Sequence, residues 1–457
     1  MFERRIFFMI NIKRVFVWAG RLIGVTILIV IILLSLAVTG TPKIKVNYVE
    51  RLNAISKPAD YNESDNVRSL LINAAGDFNS APDILAGSFK KWPAELEPNE
   101  FVELGSWLER KQASIDLLDE AANKPYYWCE YDTNSCSLAN LRIDDLKDFR
   151  IGCYVLCSRA KLEALGGNFD AMTKHIANIY RLSQLCSHGE TLVHIMVGLA
   201  MQGLGNNTTV LCLASADLPD EQLCSLAHLY GSNLVELEMT IHGAEKLYAA
   251  DSMQRLFTDD GNGNGRLIPG KLLELGCRDI MGVEEGVDSW PKAIWVSMWH
   301  PDRKSTGEAI KNTYELLEEL FKKSPASLRE NDSNYLQELY GKTLGYRLLE
   351  IGTPAFGQLC NLAAKHRTYR NGMQIIIAAK IFEAGRGKPA EKVEELVEAG
   401  LLKAVPMDEY SGKSLIYKRL GDDFIVYGVG EDFVDDGGND GKKDTIFWPA
   451  EKSSFLN

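Results

Sequence analysis

The chain has 457 residues, of which 46% are hydrophobic and 25% are charged, enough for a sizeable core and for roughly two or three domains. Its net charge of -12 excludes nucleic acid as the main partner, because contacts to phosphates need a basic face. Its nine cysteines include no Cys-x-x-Cys pair, which excludes a dense disulfide framework.

An uncharged apolar stretch at residues 22–40 follows five basic residues near the start of the chain. At about 1.5 Å per residue, a helix of this length spans close to the ~30 Å core of a bilayer. Because positive charge stays on the cytoplasmic side, we predict a basic cytoplasmic segment at 1–21, a signal anchor at 22–40, and an extracytoplasmic bulk, periplasmic or on the cell surface. The alternative, a cleaved signal peptide, leaves the bulk on the same side.

Residues 41–143 are predicted to form a region of helices and loops, with apolar residues at helical spacing in 44–55 and 99–122. Within this region, Cys129 and Cys136 bracket a short polar loop. An oxidising compartment would permit a disulfide between them, and a pair of free thiols is the equal alternative.

A helical body is predicted next, over residues 144–370. It opens with a helix at 143–165 whose apolar face carries Cys153 and Cys157, which we interpret as buried thiols of the core. A pair of glycines ends that helix, and Asn168 is predicted to cap the following one. The resulting hairpin resembles one tetratricopeptide-type helix pair, although the repeat of about 34 residues is missing. Further helices are predicted at 190–204, 206–216, 220–235, 237–257, 333–350 and 355–384.

Two short motifs lie between residues 290 and 321. Trp290, Trp295 and Trp299 cluster in the sequence, and Trp295 and Trp299 would share one face of a helix. Core packing is the prediction, with contact to a membrane surface as the alternative. Ser305 and Glu308 have the spacing of a capping box and are predicted to open a helix through 321.

The segment that starts at Asp260 matches the first half of a calcium-binding EF-hand loop, with oxygen donors at Asp260, Asn262 and Asn264. The last ligand of such a loop should be a glutamate, but Lys271 stands there. We therefore favour a Gly/Asn turn over a calcium site.

The C-terminal residues 371–457 form the last predicted region. A short helix at 389–402 precedes three short β-branched or aromatic runs, at 414–418, 424–429 and 445–448, which predict a small antiparallel sheet. The runs AAKIFEAGRGKPAEKVEELVEAGLL, VPMDEYSGKSLIYKR and DDFIVYGVGEDFVDDGGNDGKKDTIFW resemble the C-terminal half of the major pseudopilins of type II secretion systems.

This resemblance implies a helix, a Pro-x-Asp-x-x-x-Gly segment leading into strands, and an Asp/Gly-rich loop that binds calcium. The ligands would come from five carboxylates, those of Asp432, Asp435, Asp436, Asp440 and Asp444. Calcium prefers six to eight oxygen ligands on a flexible loop, whereas a solvated acidic turn is the alternative. Since the chain lacks the Gly-Phe-x-x-x-Glu processing motif before its apolar helix, it is not itself a pseudopilin.

The sequence thus predicts a mainly α fold with an N-terminal transmembrane helix, a body of helical hairpins and a small C-terminal α+β module. No P-loop, Gly-x-Ser-x-Gly elbow or dinucleotide fingerprint is present. We expect a non-enzymatic interaction or scaffolding role in the cell envelope, with lipid and protein partners and with Ca²⁺ as the candidate ligand. The alternatives are an accessory of a secretion or pilus-like system and an enzyme of unrecognised class.

Overall fold

The computed structural model describes residues 40–78, 98–135, 137–232, 243–274, 290–330, 353–439 and 443–453, together with 18, 24–26 and 28–29. The chain divides into two compact units. The first unit comprises Met1–Asn47, Ala249–Thr313 and Tyr340–Thr353, and the second comprises Tyr48–Tyr248, Tyr314–Leu339 and Pro354–Asn457. Most of the predicted anchor lies outside the described residues, and within the described part of the chain no helix is long and apolar enough to cross a membrane.

The described residues are mainly helical. In chain order the α-helices are α1 (Tyr48–Ser56), α2 (Arg68–Phe78), α3 (Pro98–Arg110), α4 (Gln112–Ala121), α5 (Asp145–Leu165), α6 (Phe169–Ser187), α7 (Leu192–Ser215), α8 (Asp220–Gly231), α9 (Gly243–Leu256), α10 (Pro269–Glu274), α11 (Trp290–Trp299), α12 (Arg303–Leu320), α13 (Pro325–Glu330), α14 (Thr353–Arg386) and α15 (Glu394–Glu398). The strands are β1 (Ile416–Leu420), β2 (Asp423–Gly428) and β3 (Thr445–Trp448).

The helices α5, α6 and α7 pack side by side in the second unit because small residues let their backbones approach. A side chain at Gly198 of α7 would overlap the Ser187 hydroxyl of α6. One seven-residue step along α7, Gly205 faces the ring of Tyr180, and a Cβ there would lie 3.1 Å from it. The Tyr180 hydroxyl donates to Asn206 over 2.6 Å, which satisfies a buried polar group where these helices meet.

The sheet is antiparallel, as the short β-branched and aromatic runs predict, and its strand order is β1-β2-β3. A tight turn with Gly421 in the left-handed region joins β1 to β2. The sheet packs against the long helix α14, where Gly372 lies so close to Phe447 of β3 that a Cβ would stand 2.6 Å from the ring. A continuous core then joins buried side chains of α5–α8, α14 and the sheet.

Several predicted helix boundaries are corrected. The break expected at residue 205 is absent, because Gly205 serves packing against Tyr180 and α7 continues through it. Asn168 stands at the start of α6, but its amide donates to Glu163 instead of capping. The helix expected at 389–402 is reduced to α15, and the one expected at 333–350 lies outside the described residues.

The capping box at Ser305 is also corrected. α12 begins two residues earlier, at Arg303, and the carboxylate that accepts the Ser305 N–H over 2.8 Å belongs to Asp302. An aspartate before the first turn accepts a hydrogen bond from a free backbone N–H of the helix as well as a serine does. The helix therefore begins directly after Asp302.

Two predictions about burial have opposite outcomes. Cys153 and Cys157 are fully buried thiols, as predicted from their helical spacing. Core packing of the tryptophans is wrong, since Trp295 is 64% and Trp299 is 70% exposed. α11 turns the small residues Ala293 and Ser297 inward, so its aromatic side faces out.

Candidate binding site in the C-terminal module

The Pro-x-Asp-x-x-x-Gly segment, residues 406–412, forms a tight turn that we call the Asp408 turn. The Asp408 carboxylate is buried and accepts hydrogen bonds from the backbone N–H groups of Tyr410, Ser411 and Val429, at 3.1, 3.3 and 3.1 Å. The turn closes where Gly412, with φ 66°, donates to the Asp408 carbonyl. One carboxylate therefore shapes the turn and joins it to the end of β2.

Side chains of α14 hold the Asp408 turn in place. Arg367 forms an ion pair with Glu409 at 2.8 Å and donates to the carbonyl of Phe321. Asn371, one turn further along the helix, donates to the carbonyl of Met407 over 2.8 Å. These contacts place Tyr410 beside α14, with its hydroxyl directed to that helix.

The acidic loop between β2 and β3, residues 430–444, is organised around Asp444. Both oxygens of this carboxylate accept backbone hydrogen bonds, from Asp436 at 3.2 Å and from Gly438 at 2.8 Å. Burial raises the pKa of Asp444, the two N–H groups oppose that change, and the negative charges of Asp435 and Asp436 add to it. Burial and the neighbouring carboxylates thus both disfavour the charged form of Asp444.

The other predicted calcium ligands serve the loop backbone. Asp435 accepts from the Gly437 N–H and from the Tyr427 hydroxyl, and Asp432 accepts from the Val434 N–H. Asp440 lies outside the described residues. Within the part of the chain that the structure describes, no group of three or more His, Cys, Asp or Glu side chains is placed to hold a metal ion. The described carboxylates alone therefore do not fit a calcium site, and the set of five is a proposal that depends on Asp440.

Phe433 lies in the acidic loop with a φ of 63°, a left-handed conformation that is uncommon for an aromatic residue. Its ring packs edge-on against Tyr410 at 6.0 Å between centroids, and the Arg329 guanidinium lies over it at 4.8 Å. Strained backbone persists only where the surroundings hold it, so this aromatic group is fixed in place.

Two clefts open on either side of Tyr410. The helix cleft has a volume of about 340 Å³, and its described lining consists of Lys365, Thr368, Tyr369, Tyr410, Glu431, Lys443, Asp444 and Thr445. The turn cleft has a volume of about 540 Å³, and its described lining consists of Ala326, Arg329, Tyr410, Ser411, Lys413, Ser414, Ile416, Val429, Phe433 and Asp435. Both combine cations, carboxylates, hydroxyls and aromatic rings, and neither described lining contains a histidine or cysteine.

The EF-hand-like segment, in the first unit, is a closed turn. The Asp260 carboxylate accepts from the backbone N–H groups of Asn262 and Asn264, at 2.8 and 3.1 Å. The Asn264 side chain accepts from the Lys304 N–H and donates to Asp302. Gly261 and Gly263 supply the positive φ angles, so the segment has the Gly/Asn turn geometry that the sequence favours.

Cys129 contacts a polar cluster, and Cys136 lies outside the described residues, so their disulfide stays a prediction. In this cluster the Arg68 guanidinium binds both oxygens of Asp145, at 2.6 and 3.3 Å. Burial, followed by the charge of Asp145, raises the pKa of Cys129 to about 11. The thiol is therefore protonated at neutral pH and is a poor nucleophile.

Comparison with protein-family models, curated proteins and solved structures finds no match to this chain. The resemblance to pseudopilins therefore stays a prediction that rests on the residues quoted for it.

Among the residues that line the clefts, the sequence pattern predicts only the aspartates of the acidic loop. The density of aspartates in the loop predicts Asp435 and Asp444 as site residues, whereas no local pattern marks Lys365, Arg329 or Phe433. A cation on a helix usually marks a solvated face, and only the Asp408 motif indicated that the chain folds back there.

Proposed function

We propose that this chain is a single-pass membrane protein whose bulk lies outside the cytoplasm, and that its C-terminal module binds a protein partner in the cell envelope. The role is one of interaction or scaffolding, with no reaction catalysed. The observation that carries this proposal is the pair of clefts on either side of Tyr410.

The chemistry of the clefts favours polypeptide as the ligand. The helix cleft offers the ammonium groups of Lys365 and Lys443 beside the carboxylate of Glu431, so it provides both donors and acceptors. The turn cleft adds the fixed ring of Phe433 and the cation of Arg329. Interfaces between proteins are enriched in aromatic residues and arginine, with a polar rim around them.

An accessory role in a secretion or pilus-like system is the second candidate. In its favour, a long helix, the Asp408 turn, an antiparallel sheet and an acidic loop follow one another in the order that the pseudopilin resemblance implies. Calcium held by the acidic loop would then stiffen the module. In support of this, Asp435, Asp436 and Asp444 bring three carboxylates to one glycine-containing loop, and calcium prefers oxygen ligands.

Charge reversal tests the binding proposal. The full chain would be purified from detergent-solubilised membranes as wild type, as Lys365→Glu/Lys443→Glu, and as the control Lys388→Glu/Lys392→Glu. Both pairs are exposed, but only the first lines a cleft. We expect the first variant to retain its partner roughly tenfold less well, an effect of about 1.4 kcal/mol, while the control keeps it. Equal retention by both variants would contradict the proposal.

The identity of the retained protein separates the two roles. Pseudopilins or their assembly platform in the eluate would favour the secretion accessory. Other envelope proteins that depend on the cleft lysines would favour a scaffold.

A further inference from the structure

The first unit carries an outward aromatic face on α11. Trp295 and Trp299 are four residues apart, with ring centroids at 5.7 Å, and they are 64% and 70% exposed. Met298 lies beside them at 44% exposed, while Ala293 and Ser297 occupy the buried side of the same helix. Water is a poor environment for two adjacent indole rings, so this face needs a different surrounding.

The chain segment that follows the predicted anchor is docked on the same unit. The Gln254 amide accepts from the backbone of Lys45 and Val46 and donates back to the carbonyl of Val46 over 2.8 Å. Lys45 also forms an ion pair with the buried Asp259 at 2.5 Å. The first unit is therefore attached directly at the point where the anchor ends.

A short path of contacts leads from that point to the aromatic face. Gly40, the last residue of the predicted anchor, lies against Ile268, and Gly270 of α10 lies against the ring of Trp290. From Trp290 to Trp299 the helix advances about 13 Å. The tryptophans thus lie where a bilayer that holds the anchor would be within reach.

We infer that the face formed by Trp295, Met298 and Trp299 lies in the interfacial zone of the membrane that holds residues 22–40. Indole rings prefer this zone, where the apolar body is shielded and the N–H stays hydrated. Lys292 on the same helix and Lys304 at the start of α12 are both exposed, and their cations suit anionic headgroups. The inference rests on the proposed anchoring and adds a second membrane contact that fixes the first unit.

Quenching of tryptophan emission by lipids brominated near the headgroup tests this contact. The full chain would be reconstituted in vesicles of phosphatidylcholine and phosphatidylglycerol as wild type, as Trp295→Phe/Trp299→Phe, and as the control Trp107→Phe/Trp128→Phe, whose rings are buried in the second unit. Phenylalanine keeps the apolar character, so each variant removes only emitters. We expect the lipid-dependent quenching to fall clearly in the first variant, with Trp18 beside the anchor contributing to what remains, and to persist in full in the control.

Quenching that is unchanged in Trp295→Phe/Trp299→Phe would overturn the inference, because the rings would then lie away from lipid, against a second copy or another protein. Flotation of the same vesicles separates this failure from failure of the anchor. A chain that floats but shows no quenching from these tryptophans keeps the anchoring and loses the aromatic contact. A chain that does not float loses both.

Discussion

The Asp408 carboxylate accepts hydrogen bonds from the backbone N–H groups of Tyr410, Ser411 and Val429, which water would bind in the unfolded chain. In Asp408→Ala these buried donors would lose their acceptor, and each unsatisfied group costs about 1–3 kcal/mol. We expect the variant to lose roughly 2–4 kcal/mol of stability in urea unfolding, allowing for partial relaxation. Asp422→Ala, at the exposed turn between β1 and β2, is the control and should change little. Equal midpoints for the two variants would show that the carboxylate does not hold the turn.

Asp119 links α4 to α6 through charge. Its carboxylate binds Lys174 at 2.6 Å and the amide of Asn178 at 2.7 Å, while Nδ1 of His175 stands at 3.6 Å, beyond hydrogen-bonding distance. Burial raises the pKa of this carboxyl, but His175 and Lys174 outweigh it and bring the pKa to about 2. Because the folded-state pKa lies below the ordinary 3.8, the stabilisation is complete above about pH 4 and is lost as the pH falls towards 2.

The lowered pKa of Asp119 gives a prediction about how stability depends on pH. Asp119→Asn should lower the free energy of unfolding at pH 6 by about 1–2 kcal/mol, part of what the lowered pKa of this buried carboxylate corresponds to, because the amide oxygen still accepts a hydrogen bond. The difference from wild type should shrink when unfolding is followed from pH 5 down to pH 2. Asp116→Asn on the same helix is exposed and serves as the control. A difference that stays constant over this range would refute the assignment.

At the scale of elements, the close approach of α6 and α7 depends on a glycine. In Gly198→Ala the new methyl group meets the Ser187 hydroxyl and the Ser183 carbonyl, so we expect a loss of about 1–3 kcal/mol. Gly203→Ala lies in the same helix with open space around it and should instead gain about 0.5–1 kcal/mol from helix propensity. Chemical denaturation measures both changes. Equal shifts of the two midpoints in the same direction would contradict this role of Gly198.

The second prediction at this scale concerns calcium binding by the acidic loop. If calcium binds there, roughly millimolar calcium should raise the melting temperature of the chain, by about 2–4 °C for a site of modest affinity. Asp435→Ala/Asp436→Ala should abolish the rise, and Asp260→Ala should leave it intact, because that residue closes a turn. No rise with calcium, or a rise that survives the tail variant, would count against the loop as a site.

Elements with strong periodicity could be predicted from the sequence, and contacts between elements could not. The spacing of apolar residues predicts α5 and α6, and short β-branched or aromatic runs between turn residues predict the sheet. The same spacing cannot say which face of α11 is buried, and there the small residues turn inward. Gly205 indicated a break because glycine lowers helix propensity, but packing against Tyr180 overrides that preference.

At the scale of the whole molecule, the candidate site joins parts that the sequence keeps far apart. The helix cleft combines α14, the Asp408 turn and both ends of the acidic loop. No local sequence pattern predicts that these segments lie close together. The acidic residues could be found because they cluster in the sequence. The lysines, Tyr410 and the strained Phe433 belong to the site only through the fold.

The central claim is that residues 22–40 span the membrane with the basic end inside and the bulk outside, since the envelope partner, the calcium proposal and the lipid contact of α11 all require it. Fusion of alkaline phosphatase, which is active only outside the cytoplasm, to the C-terminus of the full chain tests it most directly, with a cytosolic fluorescent reporter at the same point as the counterpart. We predict that the phosphatase fusion is active and that the fusion to the cytosolic reporter does not fluoresce. A fluorescent fusion with an inactive phosphatase would contradict the claim.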